Sequence, residues 1–263
     1  MLSVTSFVLA AAVFLISALT STDNPLMFVD YHGALIVLGG SIAATAISFQ
    51  LDRVFNMLKT FWNRTLKGGR VEYRSTIKEL MTLADAYLSE RPDIRDMVEQ
   101  SSDDFLKEAM TVLLDDIAED EEELMAILNS RVNTIYQRYS DDAAKFRAMG
   151  KYPPAMGLMG AVLGMIALLG SLGKPGAEKG IGPAMSVALV ATLYGIAMAN
   201  LIVIPIGENL AESAKELRTK NSIIAEGVRL IAQRKNPLIL AERLNSFLLP
   251  SERIDYKTIT SNG

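Results

Sequence analysis

Apolar residues along this chain collect in four blocks that are almost free of charge, and the polar stretches between them repeat with helical rather than alternating spacing. The blocks run from about Leu2 to Leu19, from about Gly33 to Phe49, from Pro153 to Leu172 and from roughly Ile181 to Ile206. A helix needs about 20 apolar residues to cross about 30 Å of hydrocarbon. The last two blocks meet that length, and the first two span with polar flanks at the interface. The pattern predicts an all-α membrane protein with transmembrane helices over 1–20, 33–50, 152–172 and 181–207, and short outer loops at 21–32 and 173–180. Residues 51–151 and the tail 208–263 are expected to form one helical cytoplasmic domain. No Lys or Arg precedes Arg53, so the first block lacks the basic leading region of a signal peptide and reads as a retained span.

Charge sets the orientation. Residues 52–151 hold 15 Lys and Arg and residues 208–263 hold nine, whereas the loop 21–32 holds none and the loop 173–180 only Lys174 and Lys179. The positive-inside rule places both termini and the long insert in the cytoplasm, which makes a multi-pass membrane protein.

Within the insert, Ile77, Leu80, Met81, Ala84, Tyr87 and Leu88 recur at helical spacing behind a candidate cap, Ser75. A second helix is expected from Ser102, with Phe105, Ala109, Leu113 and Ile117 on one face, and a third from near Asp120 through Tyr139 and Phe146. The acidic run Glu119 to Glu123 stands at that third helix's N-terminus, where it complements the macrodipole. After the fourth span a polar helix continues, Asn236-Pro237 makes a turn, and a short amphipathic piece follows.

Composition then excludes chemistry. The 263 residues are 50% hydrophobic, with no Cys, one His and a net charge of −4. A disulfide scaffold, a thiol nucleophile and thiolate metal sites are ruled out, and His32 alone offers no metal constellation. An acidic balance gives no reason to expect nucleic acid as a partner. No enzyme, cofactor or metal is expected.

The third and fourth blocks contain no Asp, Glu, Lys, Arg or His. Their polar side chains come chiefly from Ser171, Ser186, Thr192, Tyr194 and Asn200. A chain that moves protons unaided needs an intramembrane relay of titratable groups. Asp30 and His32 stand at the outer start of the second span, too shallow for the bilayer centre. Either another chain supplies the titrating group or this chain is a membrane anchor. A secondary transporter would show charge or broken helices in two related halves, and neither is visible. Gly157, Gly160 and Gly164 let a helix approach the third span closely, from within this chain or from a neighbouring subunit. Pro154 and Pro183 stand at span entries, while Pro205, near the fourth span's exit, predicts a kink at the inner interface.

The stretch Tyr152-Pro-Pro-Ala-Met-Gly-Leu-Met-Gly-Ala-Val-Leu-Gly164 resembles the third span of the flagellar stator subunits of the MotA/TolQ/ExbB family. Ile181-Gly-Pro-Ala-Met-Ser-Val-Ala-Leu-Val-Ala-Thr-Leu-Tyr-Gly195, running on to Pro205, resembles their fourth, and Phe28-Val-Asp30 with Leu35-Ile-Val-Leu-Gly-Gly-Ser41 the start of their second. The resemblance implies a homo-oligomer of five copies, held in membrane lipid, around two copies of a MotB-like partner. That partner brings one transmembrane helix, the ion-binding Asp and a peptidoglycan-binding domain. Ion passage would turn the ring, whose cytoplasmic domains push the flagellar rotor at its switch protein FliG. An energiser of another envelope process, such as outer-membrane transport or gliding, is the alternative within the family. TolQ and ExbB have three spans with the large loop after the first, so the arrangement here favours the stator.

By the same resemblance, Thr192 is the fourth-span hydroxyl beside the partner's Asp, with Tyr194 and Ala161 on the ion pathway. Sodium-driven members carry a second Thr on span three where this chain has Ala161. One fewer oxygen ligand favours H⁺ over Na⁺ as the transported ion. Pro154 and Pro205 match the prolines that couple protonation to movement. The usual rotor-contact run is replaced here by Tyr87 to Asp96, in which Leu88 takes the usual basic position. Arg91, Arg95 and Asp96 are the candidates for that contact.

Overall fold

The computed structural model describes residues 4–50, 52, 54–56, 59, 71–173, 175–176, 178–251 and 253–254. The basic residues Arg53, Arg64, Lys67, Arg70 and Lys174 and the last residues of the tail, which enter the charge argument above, lie outside these. All regular elements among the described residues are helical. In chain order they are α1 (Val4–Thr20), a 3-10 turn (Pro25–Phe28), α2 (Tyr31–Ala34), a π-helical stretch (Leu35–Gly39) and α3 (Gly40–Ser48). Then come α4 (Tyr73–Leu88), α5 (Ile94–Glu99), α6 (Asp104–Leu114), α7 (Glu121–Met149) and α8 (Tyr152–Ser171). The chain continues with α9 (Glu178–Ala197), a second π-helical stretch (Met198–Val203), α10 (Ile204–Ala232) and α11 (Pro237–Asn245). Three helical runs are long and apolar enough to cross a membrane, Pro25–Ser48, Glu121–Ser171 and Glu178–Ala232, while Ala11–Thr20 is a shorter apolar helix.

The helices divide into two compact units, one of residues 1–69 with 140–212 and one of residues 70–139 with 213–263. The first unit turns much of its apolar surface outward: Leu9, Leu158 and Ile166 are 60% exposed or more, and Ile47 is 87% exposed. Apolar patches that extensive require lipid or another protein as their surroundings.

The second unit has an ordinary core. Ile77, Leu80, Leu106, Met110, Leu128, Ile223, Ile224, Leu240 and Leu244 are fully enclosed, so residues 70–139 and 213–263 share one hydrophobic interior. A half-buried ion pair between Lys220 and Asp103 joins α10 to the cap of α6.

Local starts differ from the expectation in two places. Ser75 is not a cap: α4 begins after Glu72, and the Ser75 hydroxyl donates back to the Glu72 carbonyl at 2.8 Å. The second helix starts at Asp104 rather than Ser102, because the Asp103 carboxylate accepts from the Leu106 amide at 3.0 Å. That helix ends at Leu114, which leaves Ile117 off its face and 54% exposed.

Helices α4, α6 and α10 stop in the same way, with Glu90, Asp116 and Arg234 in the left-handed region at φ values of 52°, 49° and 52°. In each case the following amide bonds to the carbonyl five residues back in the Schellman pattern: Arg91 to Ala86, Ile117 to Val112, Lys235 to Leu230.

The second unit's packing is closest where Gly227 faces Leu80: a Cβ there would lie 2.6 Å from Leu80 Cδ1, and Leu80 is fully buried with no room to turn away. Gly227→Ala is therefore expected to destabilise this unit by about 1–3 kcal/mol despite the better helix propensity of Ala. Chemical denaturation followed by circular dichroism measures it.

Candidate functional site

The close pairing of α8 with α9 is the centre of the first unit. Three glycines one turn apart on α8 permit it. A Cβ on Gly157 would meet the Ala191 carbonyl oxygen at 2.8 Å and the Thr192 Cα at 3.2 Å. One on Gly160 would meet the Ala191 Cβ at 2.6 Å, and one on Gly164 the Ala184 carbonyl and the Ala188 Cβ at 2.9 Å each. On α9, Gly195 returns the contact against the Pro153 carbonyl. The glycine face thus packs within this chain. A Cβ on Gly33, at the start of the second apolar run, would meet the Ala191 backbone nitrogen at 3.3 Å, so three helical segments converge on Ala191 and Thr192.

Thr192 is half-buried, and its hydroxyl donates to the Ala188 carbonyl one turn back at 3.0 Å. That bond uses the proton and leaves the oxygen's lone pairs as acceptors. Ala161, half-buried, follows Gly160 directly, and no hydroxyl stands there.

Tyr194 is used differently. Its O–H donates to the Phe28 carbonyl at 2.5 Å and its oxygen accepts the Asp30 amide N–H at 3.2 Å. Both backbone groups lie in the irregular turn before the second apolar run, where no helix supplies partners. A polar backbone group enclosed without a partner costs about 1–3 kcal/mol, and one phenol satisfies two. Ser186 adds a longer bond to the Met27 carbonyl at 3.4 Å. The Asp30 carboxylate accepts from the Gly33 amide at 2.6 Å and so caps α2.

Pro154 lies in the first turn of α8, where a missing amide donor is harmless. Pro183 is not at a helix entry, because α9 already begins at Glu178 and the proline falls inside it. Pro205 is the second residue of α10, directly after the π-helical stretch Met198–Val203. A proline ring collides with the carbonyl four residues back, here that of Leu201, and the wider π turn is where that collision is relieved. The neighbours of Pro205 are tightly held: Ile204 packs against Gly150, Ile206 is buried with Val54, Phe146, Met149 and Val203, and Gly207 lies on Arg147.

In the second unit Arg91, Arg95 and Asp96 are all exposed. Arg91 binds Asp93 with two nitrogens at 2.6 and 3.0 Å, which raises the guanidinium pKa and holds the Asp93 carboxyl below the usual carboxylate range. Arg95 reaches Asp115 at 2.6 Å and the Leu114 carbonyl at 2.9 Å. Both basic groups are thus paired with acids of their own unit. Sequence spacing offers the Arg91–Asp93 pair but not Arg95–Asp115, whose members lie 20 residues apart. Among the described residues no group of His, Asp or Glu is arranged to hold a metal ion.

These features define an all-helical membrane protein whose most closely packed helices carry hydroxyls and, within their apolar stretches 153–172 and 181–206, no Asp, Glu, Lys, Arg or His. Residues 97–222 match the family model described as the MotA/TolQ/ExbB proton channel family. The chain is 30% identical to Motility protein A of Borreliella burgdorferi over 228 residues, 86% of this chain and 85% of that one. It is 29% identical to Chemotaxis protein PomA of Vibrio alginolyticus over 241 residues, 91% of this chain and 92% of that one. A solved structure of C. jejuni MotAB aligns with a TM-score of 0.80 at 26% identity, covering 93% of this chain and 94% of that one. The chain belongs to the MotA/TolQ/ExbB proton channel family.

The α8–α9 contact predicts its own sensitivity. Gly157→Ala, which drives a methyl group into backbone on α9, is expected to lower the thermal stability of the detergent-purified protein by about 1–3 kcal/mol. Gly170→Ala on the same helix meets nothing within 4 Å and is expected not to lower it, since Ala has the better helix propensity.

Proposed function

We propose that this chain is the ring-forming, ion-conducting stator subunit of a bacterial flagellar motor, and that the acid which binds the ion stands on a MotB-like partner. One observation carries this reading: the α8–α9 pair is packed so closely through glycine and alanine, with no Asp, Glu, Lys, Arg or His between Tyr152 and Leu172 or between Ile181 and Gly207, that the chain has no titrating group of its own there. The similarity to C. jejuni MotAB, itself a complex by its name, supports a partner of that kind. In this reading α1 is a fourth span, both termini are cytoplasmic, and five copies surround two copies of the partner in the inner membrane.

The ion moves along the interface between α8 and α9 of the ring and the partner's helix. Thr192 presents acceptor lone pairs to the ion, to a water or to the protonated acid. With Ala161 where a second hydroxyl would complete a dehydrated Na⁺ shell, the ion is H⁺. Charging and discharging the partner's acid changes what packs best against α8 and α9. Pro154, in the first turn of α8, and Pro205, at the start of α10, pass that change to the cytoplasmic helices. The rotor switch protein FliG receives the torque near Arg91, Arg95 and Asp96, whose charges must exchange their present partners for those of the rotor.

Thr192→Ala tests the pathway. Swimming speed is expected to fall at least tenfold while membrane level and ring assembly remain normal, measured by tracking and by size-exclusion of the purified complex. Unchanged swimming contradicts the assignment.

A further inference from the structure

We infer that Tyr194 is a positioning residue that fixes the rotation of α9 about its axis and thereby the direction in which Thr192 faces; the inference rests on the ion-pathway reading of Thr192. The closest backbone approaches of α9 to its neighbours run through small groups: Gly157, Gly160 and Gly164 against Ala184, Ala188 and Ala191, Gly195 against Pro153, and Gly33 against Ala191. Van der Waals contacts of this kind set a distance between helices and are only weakly directional. Hydrogen bonds are directional. The hydrogen bonds that tie α9 to the turn ahead of the second apolar run come from two side chains, Tyr194 to Phe28 and Asp30, and Ser186 to Met27.

Residues 192 and 194 lie about 200° apart around a helix of 3.6 residues per turn. The phenol therefore grips α9 on the side away from Thr192, where a pin best resists rotation without occupying the space the hydroxyl presents. The grip is two-sided, because the same oxygen gives one hydrogen bond and receives another, and Phe at this position would do neither. The anchor does not give way easily: Asp30 caps α2 through the Gly33 amide at 2.6 Å, so the residue Tyr194 holds is itself fixed to the start of the second run.

Because the chain contains no cysteine, Thr192→Cys introduces a single thiol whose surroundings can be read directly. The experiment compares maleimide labelling of that thiol in membranes carrying the full complex, with Tyr194 intact and with Tyr194→Phe added. The dependence of swimming speed on proton-motive force is measured in parallel for Tyr194→Phe alone. The labelling rate at position 192 is expected to change at least threefold. Half-maximal speed is expected to require a distinctly larger driving force, while the complex assembles at its normal level. Ser186→Ala removes only the outer, longer bond and is expected to act in the same direction with smaller size, which decides the matter if Tyr194→Phe fails to accumulate. Equal labelling rates together with an unchanged speed curve overturn the inference. Failure of the pathway reading is distinguishable: Thr192→Ala would then swim normally, whatever Tyr194→Phe does to the labelling.

Discussion

Two helices of this chain approach until a glycine Cα on one lies against the backbone of the other, and much of the rest follows from that approach. A methyl group at Gly157 would stand 2.8 Å from a carbonyl oxygen, closer than carbon and oxygen tolerate. A space so tight and so apolar has no room for a charged side chain and no means of compensating one. In the function proposed here, the titratable group missing from the best-packed spans is met at their surface, on another chain. The outward apolar face of α8, with Leu158 and Ile166 at least 60% exposed, leaves ample surface for lipid and for other subunits.

What the spans do contain is hydroxyl chemistry, divided between two tasks. Tyr194 spends both of its hydrogen-bonding capacities on backbone groups of a turn about 165 residues earlier in the chain. Thr192 spends its proton on its own helix and keeps its lone pairs. One hydroxyl builds the fold, and the other remains able to receive a hydrogen bond or a cation. Two residues apart on one helix, they face opposite ways, which is why a structural role for one is compatible with a functional role for the other.

Much of this was legible in the residues themselves. The apolar runs, the missing intramembrane charge and the shared interior of insert and tail are properties of composition and of 3.6-residue spacing, and both survive without knowledge of contacts. The details that escaped are those set by tertiary partners. The left-handed helix ends at Glu90, Asp116 and Arg234 carry no glycine to announce them. Ser75 has the chemistry of a cap, yet the helix starts earlier because its hydroxyl is taken by Glu72. The π-helical stretches at Leu35–Gly39 and Met198–Val203 have no spacing signature of their own, although Pro205 marks the place of the second. The clamp formed by Tyr194 was invisible because its partners are backbone atoms far away in the chain, and Arg95 finds Asp115 in the same unannounced way. Thr192 itself was found through family resemblance, since a lone Thr in a span usually bonds its own backbone, as it does here.

We propose that the acidity driving this protein belongs to a companion chain. Proton flux into liposomes, measured with a pH-sensitive dye under an imposed potential, tests this directly on the purified chain with and without a single-span partner bearing an intramembrane Asp. No flux above empty vesicles is expected from this chain alone, and measurable flux from the pair, lost again when the partner's Asp becomes Asn. Flux from the chain by itself would overturn the proposal.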